Sequence, residues 1–126
     1  MSPAHRADVP RLVFATGNAH KVAELEAIIA PLLPKGAGRI GRMSDFDVAE
    51  PVEDGASFEE NSLIKARSLC AATGIAALAD DSGLCVDIMG GAPGIFSARW
   101  SGAHGNDRAN LELLLAQLSD VPLHLR

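Results

Sequence analysis

The fold is decided by residues 75–84, IAALADDSGL, where a short apolar run leads into two adjacent carboxylates, Asp80 and Asp81. A hydroxyl residue, Ser82, then a glycine and a second apolar run follow. A strand that runs into a tight turn would place the two acids at the edge of a sheet. Like charges this close repel unless a cation or a shared proton relieves them, so the pair indicates metal chemistry. Asp, Ser and Gly are also ordinary turn formers, and this stretch alone favours a simple turn.

The beginning of the chain has the pattern of a strand, a tight turn and a helix. Residues 11–16 form an apolar run typical of a buried strand, and Gly17 and Asn18 follow as a turn. Apolar residues then repeat at helical spacing up to Pro31. Lys21 falls in the first helical turn, where a cation beside exposed backbone N–H groups favours an anion such as phosphate. The Rossmann and P-loop glycine patterns are both absent, so phosphate binding and a plain strand-to-helix junction stay equally open.

Two further helices are predicted from capping and periodicity. Ser57 stands three residues before Glu60, which is a capping-box signal for a helix that ends at Gly74. Lys65 lies on this helix, where the usual fate of a lysine is a solvated face. Leucines at helical spacing over residues 111–118 indicate a second amphipathic helix.

Further strands are expected on both sides of the acidic pair and near the chain's end. Residues 75–79 and 84–89 are expected to pair as a hairpin. A short strand is expected near residue 40, in a Gly/Pro/Lys loop over residues 34–41. Residues 123–126 alternate apolar and polar side chains like the start of a strand.

Length, composition and charge limit the classes of protein to which the chain can belong. At 126 residues the chain is one domain at most, and its 48% apolar content is enough for an aliphatic core. We predict a flexible tail over residues 1–10, without the apolar segment of a signal peptide, and a single domain over residues 11–126. A net charge of −5 without a basic block gives no footprint for nucleic acid, and no apolar run could span a bilayer. We therefore expect a cytoplasmic protein with no nucleic-acid and no membrane partner.

The two cysteines are expected to be free and buried. Cys70 lies on the predicted helix and Cys85 in a predicted strand, without a C-x-x-C pair. In a cytosolic protein free thiols are the default, and a disulfide is the minority outcome.

Four blocks resemble, in the same order, the signature of the inosine triphosphate pyrophosphatase family, also called the RdgB/HAM1 family. They are residues 15–21 (ATGNAHK), 53–67 (EDGASFEENSLIKAR), 79–84 (ADDSGL) and 90–99 (GGAPGIFSAR). Each block alone would be weak. Four ordered blocks over residues 11–122 make the resemblance specific.

The resemblance implies both a reaction and a fold. Members of this family cleave non-canonical purine nucleoside triphosphates (ITP, dITP and XTP) to the monophosphate and pyrophosphate with Mg²⁺. The implied fold is α/β, a mixed, twisted sheet flanked by helices of the ITPase/Maf-like type, with a nucleotide cleft between two lobes. It also implies a homodimer.

The resemblance further implies roles for individual residues. Asp81 matches the family's proton acceptor and a metal ligand, Glu53 matches the second metal-binding acid, and Asp80 is a supporting acid at the metal. Mg²⁺ is a hard cation that prefers such carboxylate oxygens. Arg99 lies in a matching block and is assigned a supporting or structural role. The substrate-binding positions are Thr16, Gly17, Asn18, Ala19, His20, Lys21, Lys65 and Ser82.

The sequence departs from the family pattern after Pro122. In the family an aromatic-rich Asp-Pro loop, a later lysine and a Ser-His-Arg motif follow and hold the base, and this sequence contains none of them. We therefore expect the C-terminal part of the fold to be missing, with the phosphate and metal side of the site retained. Missing strands would leave an unpaired sheet edge, so more self-association than in a full-length relative is expected.

Three interpretations of function stay open. The first is a nucleoside triphosphate pyrophosphatase. The second is a non-catalytic truncated remnant, or a nucleotide-binding module that lacks the base-recognition half. The third is an α/β domain of the related septum-inhibitor Maf type, which the blocks at residues 16–21 and 80–83 fit less well.

Overall fold

The structure of the chain, a computed structural model, describes residues 9–33 and 40–126. These residues divide into two compact units. The first unit comprises the described residues up to Gly55 together with Glu59–Asp80, and the second comprises Ala56–Phe58 and Asp81–Arg126. None of the helices in the described residues combines the length and the apolar character needed to cross a membrane.

The first unit is built on a parallel sheet of three strands, β1 (Leu12–Phe14), β2 (Ile40–Arg42) and β3 (Ala76–Leu78). Strand β1 lies between the other two, with Val13 opposite Gly41 and Ala77. Helix α1 (Ala19–Ile29) follows β1, and helix α2 (Phe58–Thr73) precedes β3. The predicted α/β class, the first strand and both helices are confirmed.

Strand β1 is buried on both faces because its side chains alternate between two apolar clusters. Leu69 of α2 belongs to one cluster and Val22 of α1 to the other, so the two helices cover opposite faces of the sheet. Gly41 allows β2 to lie close to β1, since a Cβ there would be 2.6 Å from Cγ1 of Val13. The buried cluster members are Val13, Ala15 and Leu69 on one face and Phe14, Val22 and Ile40 on the other.

The predicted bounds of α2 agree with the structure. The helix begins at Phe58, directly after Ser57, and stops at Thr73. Gly74 then takes a left-handed φ of 70°, which a residue without Cβ adopts most easily. The capping contact between Ser57 and Glu60 stays a prediction.

The second unit contains helix α3 (Asp107–Gln117), capped by Asn106. A buried amide, Asn110, ties this helix to the preceding loop. Its Oδ1 accepts from the Ser101 N–H at 2.7 Å, and its Nδ2 donates to the Ala98 carbonyl at 2.9 Å. The helix predicted from the leucine spacing over residues 111–118 is confirmed.

The hairpin predicted from residues 75–79 and 84–89 is wrong. Strand β3 pairs in parallel with β1, and Cys85 instead makes an isolated antiparallel bridge with Pro93. The intervening residues 80–83 form no turn, and Gly83 packs so closely on the Gly94 carbonyl that a Cβ would collide with it. The chain past the acidic pair is therefore held by its own downstream loop.

Two smaller predictions also fail. Residues Leu123–Leu125 form a short 3₁₀ turn where a strand start was expected, because the Leu125 N–H bonds locally to the Pro122 carbonyl at 2.9 Å. Cys70 and Cys85 are free, as predicted, but both are exposed. Leu69 already takes the inward position of that turn of α2, and its neighbour Cys70 is rotated away from the core.

Some predictions concern residues that the structure does not describe. Residues 1–8 of the expected tail and residues 34–39 of the expected loop lie outside the described residues. The strand expected near residue 40 is confirmed as β2. The single domain over residues 11–126 stays a prediction.

We predict that Leu69→Ala lowers the free energy of unfolding by about 2–5 kcal/mol, because it opens a cavity against β1. Leu69 is 3% exposed, whereas Leu63 on the same helix is 47% exposed and serves as the matched control. Leu63→Ala should change stability by about 0.5 kcal/mol or less. Urea denaturation measures both, and equal losses would contradict the assignment of Leu69 to the core.

Candidate active site

Polar residues gather in the first unit just beyond the carboxyl ends of β1 and β3. Thr16 follows β1 by two residues, and Asp80 follows β3 by two. The two strand ends are held side by side, since the Ala15 N–H donates to the Leu78 carbonyl at 2.8 Å. Ligands of open parallel sheets bind at this edge. The parallel pairing therefore brings together two segments that are more than sixty residues apart in the chain.

Lys65 lies at the centre of this arrangement. Its Nζ is 3.1 Å from Oε1 of Glu53 and donates to the backbone carbonyl of Asp80 at 2.5 Å. Only 16% of its side chain is exposed. The solvated face expected for this lysine is therefore wrong, because Lys65 shares the inward face of α2 with Leu69, four residues on.

Asp80 is held by a second lysine. Its Oδ2 is 3.1 Å from Nζ of Lys21, which lies in the first turn of α1. Its other oxygen, Oδ1, is buried and has no hydrogen-bond partner among the described residues, although 45% of the side chain is exposed. In this structure lysine relieves the negative charge of Asp80, where the sequence suggested a metal. The carboxylate keeps one free acceptor atom.

The loop between β1 and α1 is ordered by its own side chains. Oγ1 of Thr16 accepts from the Asn18 N–H at 3.1 Å. Oδ1 of Asn18 accepts from the N–H groups of His20, at 3.0 Å, and Lys21, at 3.4 Å, and so caps α1. Gly17 lies against Glu50, since a Cβ on it would be 2.7 Å from Oε1. The loop is thus preformed at the positive end of the helix dipole.

The segment that carries Glu53 is attached to α2 by a residue to which no role was assigned. The Gly55 N–H donates to Oδ1 of Asn61 at 2.8 Å, and Asn61 is 2% exposed. The sequence contained a signal for these inward positions. Asn61, Lys65 and Leu69 fall at four-residue spacing, which places an amide and an ammonium on the same helix face as a core leucine.

The structure brings together most of the residues predicted for the site. Glu53, Lys65, Asp80 and Lys21 form one network of ion pairs and hydrogen bonds. Thr16, Gly17, Asn18, Ala19 and His20 make up the loop and helix start that lead to Lys21. Asp81, half-buried, and Ser82, exposed, come next in the chain and belong to the second unit.

Two further observations bear on assigned roles. The Arg99 guanidinium carbon lies 5.3 Å from the centre of the Phe96 ring, a cation–π contact that fits a structural role.

Within the described part of the chain, no group of three or more His, Cys, Asp or Glu side chains converges as a metal centre. Glu53 and Asp80 nevertheless supply carboxylate oxygens, and one or two such groups plus phosphate oxygens and water suffice for Mg²⁺.

Comparison with known proteins gives consistent matches. The model of the Ham1 family matches residues 12–125. A dITP/XTP pyrophosphatase of Streptomyces avermitilis is 57% identical over 115 residues, which cover 88% of this chain and 55% of that protein. A protein of the same name from Leifsonia xyli is 56% identical over 112 residues, covering 89% of this chain and 54% of its own. The chain thus spans about half the length of the curated relatives it matches.

Comparison with solved structures gives matches to the same family. The chain is similar to the nucleoside-triphosphatase, or dITP/XTP pyrophosphatase, of Mycobacterium abscessus, with a TM-score of 0.72 and 47% identity over 91% of this chain and 58% of that one. A HAM1 protein from Coxiella burnetii gives a TM-score of 0.75 at 35% identity, over 86% and 53% of the two chains. These matches confirm the resemblance that the four blocks indicate and favour it over the Maf-type alternative.

We predict that Lys65→Met destabilises the fold by about 1–3 kcal/mol, because Glu53 and the Asp80 carbonyl lose their shared partner. The matched control is Arg108→Met, which breaks the pair with Glu112 on α3, where Arg108 is 88% exposed. That change should cost about 0.5 kcal/mol or less. Thermal and urea unfolding measure both, and similar small losses would show that Lys65 does not hold the site together.

Proposed function

Because the chain belongs to the Ham1 family, we propose that the protein hydrolyses non-canonical purine nucleoside triphosphates such as ITP, dITP and XTP to the monophosphate and pyrophosphate. The observation that carries the proposal is the network of Glu53, Lys65, Asp80 and Lys21 at the carboxyl ends of β1 and β3. Such a network offers both cations for phosphate and carboxylates for a metal. The names of the bacterial relatives support the choice of substrate.

The triphosphate binds in this proposal at the loop before α1. Thr16 and Asn18 fix the loop, and the positive end of the helix dipole favours an anion. The charge of Lys21, half-buried beside Asp80, adds to this attraction. A phosphate competes with Asp80 for this ammonium, so substrate binding loosens the ion pair. Gly17, Ala19, His20, Lys65 and Ser82 complete the proposed substrate-binding set.

Mg²⁺ is the proposed cofactor, with Glu53, Asp80 and Asp81 as its protein ligands. The free, buried Oδ1 of Asp80 supports this assignment, since a carboxylate oxygen without a hydrogen-bond donor is suited to a hard cation. When bound, the metal offsets the charge that develops on the phosphates.

Asp81 is the proposed general base. A water oxygen attacks the α-phosphorus and its proton passes to the Asp81 carboxylate, while the bond between that phosphorus and the β-phosphate oxygen breaks and pyrophosphate leaves. Lys21 and Lys65 stabilise the added negative charge of the phosphates, as fixed cations do in a partly dehydrated site.

The proposal extends to location and assembly. Two free, exposed cysteines support a reducing compartment such as the cytoplasm. The family resemblance supports a homodimer.

We predict that Asp81→Asn reduces pyrophosphate release from ITP with Mg²⁺ by at least about 100-fold, since an amide cannot accept the proton. Asp120→Asn, at an exposed position after α3, is the matched control and should retain full activity. A phosphate-coupled colorimetric assay after pyrophosphatase treatment measures the rate. If the Asp81 variant keeps the wild-type rate, the catalytic assignment is wrong. If wild type shows no turnover but binds ITP, the protein is the binding module considered above.

A further inference from the structure

Asn61 is a buried amide in the first turn of α2, on the face that also carries Lys65. Its Oδ1 accepts from the Gly55 N–H at 2.8 Å, two residues after Glu53. We propose that Asn61 is a positioning residue: it fixes the segment of residues 53–55 so that the Glu53 carboxylate is held in place for the metal and triphosphate. This inference rests on the proposed function and adds a residue to its machinery.

The segment has little room to move on the start of α2. A Cβ at Gly55 would lie 2.7 Å from Oδ1 of Asn61 and 2.8 Å from Cβ of Glu60, closer than carbon atoms approach in proteins. The backbone of Gly55 therefore rests directly on the helix. Only a residue without a side chain can make this contact and still donate its N–H to the amide.

Two contacts from one helix face define where Glu53 lies. Asn61 holds the backbone at Gly55, and Lys65, one turn further along, holds the carboxylate at 3.1 Å. With both contacts, the backbone next to Glu53 and the carboxylate at the end of its side chain are both held in place. Without the Asn61 acceptor, the half-buried Gly55 N–H loses its partner and the segment shifts to reach water. Small shifts of a site group are costly, since about 1 Å of misplacement reduces catalysis by up to roughly 100-fold.

The test measures Mn²⁺ affinity in the presence of the α,β-imido analogue of dITP, in which the bond to be cleaved is replaced, from the free Mn²⁺ signal in electron paramagnetic resonance, together with thermal unfolding. Mn²⁺ serves as the probe because it accepts the same oxygen ligands as Mg²⁺. Asn61→Leu keeps the branched shape of the side chain and removes the acceptor, and we expect roughly tenfold weaker Mn²⁺ binding. Asn61→Asp keeps an acceptor oxygen and should restore most of the affinity.

The matched control is Asn110→Leu, which removes another buried amide, in the second unit. A merely structural role for Asn61 predicts that both leucine variants melt earlier and that neither changes Mn²⁺ affinity. Gly55→Ala tests the same contact from the other side, if Asn61→Leu does not fold, and should also weaken Mn²⁺ binding.

The outcomes separate the two claims. Weaker Mn²⁺ binding in Asn61→Leu or Gly55→Ala, with wild-type affinity in Asn110→Leu, supports the positioning role. Unchanged affinity in folded Asn61→Leu or Gly55→Ala overturns it and leaves the proposed function standing. Absence of any binding of Mn²⁺ with the dITP analogue in wild type overturns the proposed function, and the positioning role with it.

Discussion

The ammonium of Lys65 is the interaction on which the candidate site depends. It joins three separate segments: α2, which carries it, the segment before α2 through Glu53, and the end of β3 through the Asp80 carbonyl. Removing a charge this buried from water is costly unless it is fully paired, so the three segments are held in one arrangement. Lys21 extends the network to the start of α1 through the Asp80 carboxylate. The two acidic and two basic side chains thus balance each other in charge.

This network is possible only because of the sheet beneath it. Strand β1 is apolar on both faces and sits between β2 and β3, so its end and the end of β3 lie side by side. Helix α2 then needs Leu69 inward to pack on β1, and Lys65, one turn earlier, is carried to the same edge. The packing of the core and the assembly of the site therefore use one helix face. Asn61, a further turn back, fixes the segment that brings Glu53 to it.

Local signals in the sequence were enough for β1, the three helices and the end of α2 at Gly74, because apolar periodicity and capping residues act within one element. Pairings between distant segments were harder. The acidic pair looked like a hairpin turn, but β1 competes for β3, and Gly83 is tied to Gly94 downstream. A solvated face was the usual expectation for Lys65. The spacing of residues along a helix does not show that a lysine on its core-facing side will find a carboxylate and a backbone carbonyl as partners, as Lys65 does in Glu53 and Asp80. The family resemblance identified the candidate site residues, whereas only the structure shows which of them contact each other.

The most direct test of the preformed phosphate site is a crystal structure of the protein with Mg²⁺ and the α,β-imido analogue of dITP, which resists cleavage at the α-phosphorus. The account predicts that Lys21 leaves Oδ2 of Asp80 and contacts a phosphate oxygen at the start of α1. It also predicts that Lys65 keeps its contact with the Asp80 carbonyl. A triphosphate bound away from residues 16–21, with the pair of Lys21 and Asp80 intact, would contradict it.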